Sequence, residues 1–210
     1  MQKMIMEKVG AVLNSQGNIE LGLITIDPVK KELSFPTTLC NWNSEELEAL
    51  ICTASGRAHE ALLVTDVDPY KLQLALILLG ATNGGRLAGG SLDQGSLINI
   101  DIQSTHKKDQ PRLPIEAWLY NYQTNAQMKR MGWVFVGSSF DKGLCLASAE
   151  GNLVNLWSQG NTILDNPEST GNLDNFIRVY GPKLPNYHFD VDKVPYELWK
   201  LPITVFMTLK

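Results

Sequence analysis

The sequence predicts an α+β fold: β-rich, largely antiparallel sheets packed on one main buried helix at about residues 69–79, with a short second helix near 114–122. Three observations carry that expectation. The stretch Gly56–Gly80, GRAHEALLVTDVDPYKLQLALILLG, runs from an apolar strand into a helix that is apolar on nearly every side. Short alternating runs recur along the rest of the chain, with the period of half-buried strands. No composition shift, linker or internal repeat divides the 210 residues, so one domain is the simplest account.

Residues 1–18 are expected as a mobile N-terminal segment ahead of the domain. Ile19–Ile26 then alternates, with Ile19, Leu21 and Leu23 on one face and Gly22, Ile24 and Ile26 on the other. Asp27-Pro28-Val29-Lys30-Lys31 is turn chemistry, and Glu32–Leu39 resumes an extended pattern, so the two runs are expected to form a hairpin. Ser44–Cys52 reads two ways. Asn43 followed by Glu46 resembles a capping box, whereas Leu47, Ala49 and Ile51 alternate with Glu48, Leu50 and Cys52. The alternation favours a hairpin, with TASGR turning into the strand His59–Thr65.

Asp68 is suited to cap the helix, because its carboxylate accepts from orphan N–H groups, and Pro69 follows where a missing N–H costs nothing. Gly80 closes the helix after 11 residues, roughly 16 Å at 1.5 Å per residue. The glycine-rich Ala81–Ser91 follows a helix and lacks a G-K-[ST] ending, so it is a loop and not a phosphate cradle. Leu97–Ile102 alternates as a strand. Leu113–Tyr122 places Pro114, Ile115, Trp118 and Leu119 at helical spacing. Further strands are expected at Gly132–Ser138, Leu144–Ser148 and Leu153–Trp157, with Phe176–Tyr180 and Ile203–Leu209 closing the sheet. Pro182, Pro185, Pro195 and Pro202 confine Gly181–Pro202 to edges and turns.

Composition excludes some classes of function. Hydrophobic residues at 44% and charged residues at 19% are a globular mixture. A net charge of −4 argues against nucleic acid, which needs a concentrated basic face. The one basic cluster, His106-Lys107-Lys108 with Arg112, is broken by Asp109 and Pro111. No run approaches the ~20 apolar residues of a membrane span. Glu7 and Lys8 interrupt the N-terminal apolar residues, so no export signal is expected in the chain as written. Cys40, Cys52 and Cys145 lack C-x-x-C spacing and read as reduced core residues; neither a metal site nor a cofactor is expected.

The runs LGLITIDPVKKELSFP, GRAHEALLVTDVDPYKLQLALILLG, WVFVGSSF and LASAEGNLVNLWSQGNTILDNPES, in this order, resemble the YdjY-domain family of bacterial proteins. His59-Glu60 before LLVT, the helix ending LLG, and Gly-Ser-x-Phe after the tryptophan strand are its most specific pieces. The resemblance implies a single YdjY-like domain over residues 19–210 and relatives that are often exported. It implies no established activity. Some relatives carry cluster cysteines, and this chain has no such motif.

The chemistry-bearing residues are few. His59 and Glu60 are the candidate catalytic pair, but adjacent residues of a strand point to opposite faces. Asp66 and Asp68 are candidate binding residues whose DxD spacing before a proline equally suits helix capping. Trp42, between Asn41 and Asn43, is a candidate stacking residue at a hairpin tip. Ser138 and Ser139 in VGSSF lack the second glycine of a nucleophile elbow. Two functions survive. One is a non-catalytic binding or accessory module for a protein or small ligand. The other is a hydrolase or metal-dependent enzyme centred on His59 with Glu60, Asp66 or Asp68.

Overall fold

Leu39, Leu63, Ile51, Val154, Leu164 and Phe135 stand side by side on six neighbouring strands, all pointing into one buried interior. The computed structural model describes residues 9–40, 47–84, 95–105, 110–121, 125–156, 161–167, 180–182 and 201–210. The first half of the chain supplies β1 (Val12–Leu13), β2 (Ile19–Leu21), β3 (Ile24–Asp27), β4 (Glu32–Leu39), β5 (Ala49–Thr53), β6 (Ala61–Thr65) and helix α1 (Pro69–Leu78). The second supplies β7 (Leu97–Ser104), β8 (Leu113–Pro114), β9 (Leu119–Asn121), β10 (Ala126–Gln127), β11 (Trp133–Phe135), β12 (Phe140–Asp141) and β13 (Leu144–Cys145). Helix α2 (Leu146–Glu150), β14 (Asn152–Asn155), β15 (Leu164–Asp165), β16 (Tyr180–Pro182) and β17 (Pro202–Leu209) complete it.

The main sheet closes on itself. Its ring runs β4–β17–β7–β11–β15–β14–β5–β6, and β6 pairs again with β4, giving an eight-stranded barrel. The expected α+β arrangement is therefore overturned: the fold is strand-dominated and its core is a barrel lumen. Alternation decides which side chains fill it. Leu33, Phe35 and Thr37 of β4 face inward with Met207, Val205 and Ile203 of β17, and these face Ile100 and Ile102 of β7. Trp133 and Phe135 enter from β11. A barrel of this strand number is just wide enough for side chains to fill. Each large apolar residue buried there contributes about 1.5–3 kcal/mol.

Two neighbouring pairs, β5–β6 and β14–β15, are parallel, against the expectation of largely antiparallel sheets. Seven residues, 54–60, return the chain from the end of β5 to the start of β6. Such a short return must lie close on the barrel wall, and Ala58 packs there with Val64 on a small buried cluster of Ala49, Cys52 and Ala61. The hairpin expected for Ser44–Cys52 is replaced by this parallel unit within 49–53; residues 41–46 lie outside the described set.

Helix α1 starts at Pro69 as expected, but it is not the buried centre of the fold. It lays Leu72, Ala75 and Leu76 inward, packing on β3, β14 and α2, and leaves Tyr70, Ile77 and Leu78 exposed. The expected second helix is one 3₁₀ turn, Ile115–Trp118, that passes directly into β9. The run Leu144–Ser148 splits into β13 and α2. Ile19–Ile26 is likewise two strands, turned at Gly22, whose φ of 63° suits a glycine.

Candidate functional site

The barrel wall has a seam at β4. Residues 32–34 of this strand pair with β3, while residues 38–39 pair with β6 on the same edge. Pro36 sits between the two. An edge that changes partner normally leaves an unpaired N–H, and proline has none. Its carbonyl accepts the Thr65 hydroxyl at 2.7 Å, and Thr65 Oγ1 in turn accepts Val67 N–H at 3.3 Å. The seam opens outward as a cleft of about 140 Å³ lined by Leu23, Pro36, Thr37, Thr38, Val64, Thr65 and Asp66. Leu23 is half exposed on the β2–β3 turn. The Asp66 carboxylate is exposed at the rim and has no hydrogen bond or ion pair among the described residues.

Asp68, two residues on, serves the helix. Its Oδ1 accepts Tyr70 N–H at 2.9 Å, which caps α1, and also accepts the Ser148 hydroxyl at 2.6 Å. Gln73 Oε1 accepts Ser138 N–H at 2.8 Å, so α1 is tied both to α2 and to the connection between β11 and β12. Ser138 Oγ donates to Ser139 C=O and accepts Ala147 N–H, both at 2.9 Å, which makes it a turn residue. Tyr70 meets Phe140 edge to face at 5.9 Å between centroids.

His59 and Glu60 belong to a 3₁₀ turn, Ala58–Glu60, and not to the strand. The opposite-faces rule for a strand therefore does not govern them, and His59 Nε2 lies 3.8 Å from Glu60 Oε2. The imidazole is 78% exposed. Arg57 pairs with the buried Glu48 and stands 4.0 Å from Glu60, so this cluster locks the return loop onto β5. Asp66 and Asp68 lie beyond the far end of β6, whose five residues span roughly 16 Å at ~3.3 Å each. The structure brings Glu60 to His59 and keeps both aspartates away. Trp42 lies outside the described residues. Among the described residues no three His, Cys, Asp or Glu side chains form a metal-holding group.

All three cysteines are free thiols. Cys40 N–H bonds Leu62 C=O on one side of β6, and Cys52 pairs with Val64 on the other. Burial, helped by nearby Cys40, pushes the Cys52 thiol up to about 12, and burial raises Cys40 as well. Neither is an activated thiolate at neutral pH.

Sequence reasoning missed the buried polar groups. Glu116, 2% exposed, accepts Trp133 Nε1–H at 3.0 Å, and its Oε2 has no hydrogen-bond partner among the described residues. Burial raises its pKa, while the Trp133 bond and nearby Arg130 pull the other way. Asn155 and Asp165 are neighbours in the parallel β14–β15 register, 2% and 0% exposed. Nothing marked these residues in the sequence. Glu116 sits in a run with helical spacing, and Asp165 is buried only because of the barrel's tertiary arrangement.

A family model described as the YdjY domain matches residues 24–172, which takes in seven of the eight barrel strands and omits only the closing strand β17. No curated protein and no solved structure matches the chain.

Proposed function

The chain belongs to the YdjY-domain family, a description that carries no reaction, and from its geometry we propose that the domain is a non-catalytic binding module whose ligand seats in the β4 cleft. The observation that carries this reading is the Asp66 carboxylate, without a hydrogen bond or ion pair among the described residues, at the rim of an opening whose walls join Leu23, Pro36 and Val64 with three threonines. Ligand sites combine apolar walls with a few placed polar groups. Several other carboxylates are engaged: Asp68 caps α1, Glu48 holds Arg57, Asp101 holds Arg130 at 2.8 Å, and Glu32 holds Arg112 at 2.8 Å. Side chains already occupy the lumen, so a ligand is better served by the outer wall. At about 140 Å³ the cleft suits one short group and not a whole drug-sized molecule.

Small polar and apolar fragments titrated into the ¹⁵N-labelled protein test the assignment by NMR. The expected result is saturable shifts centred on the amides of Leu23, Thr38, Val64 and Asp66. Shifts confined to other surfaces, or no saturable shift with any fragment, overturn it.

A further inference from the structure

Resting on that cleft, we infer that the group it takes is a cation carried on a short aliphatic stem, either a free alkylamine or a basic side chain of a partner. The lining decides the sign of charge. Pro36 has no N–H to offer an anion, and its carbonyl is already occupied by Thr65. The Thr65 hydroxyl is spent on Pro36 and Val67. Among the described residues no lysine or arginine lines the opening, and the charged residue on its lining is Asp66. An anion would therefore meet the Asp66 carboxylate inside the cleft, with the nearby Lys71 ammonium standing outside the lining against Gly22. A purely apolar ligand would cover Asp66 and strip water from it without return, which is costly for an ionised group.

The walls decide the rest. Leu23, Pro36 and Val64 present carbon to the ligand, which suits methylene groups lying along them while the charged end reaches Asp66. The Thr38 hydroxyl adds an acceptor beside them. The site is small and open, so the isolated group is expected to bind with a dissociation constant on the order of 1 mM.

The probes are n-butylammonium and n-butylguanidinium, with 1-butanol and butyrate as controls, followed by the amide shifts of the cleft residues. Both cations should bind saturably and both controls should bind much more weakly. Asp66→Asn, at an exposed position, should leave the melting temperature unchanged and weaken cation binding about fivefold, as expected for one exposed ion pair. Raising the salt concentration should act in the same direction. Controls that bind as well as the cations, or an Asp66→Asn protein that binds them equally well, overturn the ligand class and leave the cleft standing as a site. Absence of any saturable shift at the cleft, with these probes or with other fragments, overturns both readings. A blocked Gly-Lys-Gly peptide that binds more tightly than n-butylammonium supports a partner's side chain; weaker peptide binding supports a free amine.

Discussion

Glu116 shows how a single buried side chain makes stability depend on pH. Its folded-state pKa lies above the unfolded one, so the folded state holds the proton more tightly. Its contribution is full below the ordinary carboxyl range and is lost as pH rises through the folded value. Glu116→Gln keeps an acceptor for Trp133 and removes the charge. The expected outcome is higher stability at neutral pH and a flatter stability profile between weakly acidic and neutral conditions, read by denaturant titration at each pH. A steeper profile would show that the carboxylate is stabilised in place. At this scale the sequence was legible where chemistry is local. Asp68 could be read as a cap from Asp-Pro alone, and Ser138 as a turn residue from the missing glycine. The unpaired Asp66 was legible only as a member of a DxD pair. What sets it apart from Asp68 is the cleft, built from residues of β2–β3, β4 and β6 that lie far apart in the chain.

Helix α1 illustrates what holds an element in place. Leu76→Ala should cost about 2–5 kcal/mol, because the side chain is fully buried and leaves a cavity. Asp68→Ala should cost about 0.5–2 kcal/mol through loss of the cap. Because Asp68 also accepts from Ser148, amides of α2 should exchange faster in that variant. Urea titration and hydrogen exchange check both. The parallel β5–β6 unit gives a sharper test. Ala61→Leu should cost about 1–3 kcal/mol through overpacking, although leucine suits a strand, because Ala61 is fully buried in a cluster of small residues with Ala58 packed against it. This unit was not legible in the sequence. Parallel neighbours normally need a crossover of a dozen or more residues, so a seven-residue connection reads as antiparallel. The signal was present in the small residues Ala49, Cys52, Ala58 and Ala61, but alternation alone ranks them as ordinary strand positions.

The whole molecule depends on closure. β17 has no seam: it is registered along its length with β4 on one side and β7 on the other. Removing residues 201–210 should expose two long edges and the lumen together, so cooperative thermal unfolding should be lost. A truncated chain that still melts in one sharp transition would show that the remaining strands close without it. Strand content was legible in the sequence, as in Glu32–Leu39, Leu97–Ile102 and Ile203–Leu209, because each alternates. Closure was not, since it rests on pairing between strands as distant as β4 and β17, and periodicity carries no information about partners.

β4 belongs to two structures at once: its start carries the β1–β3 arm and its end carries β6. The arm pairs with the ring along three residues of one strand and is otherwise held by Leu21, Ile24 and Ile26 buried under α1. Val12 and Leu13 are exposed at its outer edge, so it has fewer backbone ties than a strand held in the ring. It should therefore open in excursions that leave the barrel intact, and its amides should lose protection before those of β7 and β17. Pro36 is the pivot of that motion, because the strand has no donor to forfeit there when the arm swings. A ligand lodged between Leu23 on the arm and Val64 on the ring would hold the two together, and occupancy of the cleft would be readable as slowed exchange in β2 and β3.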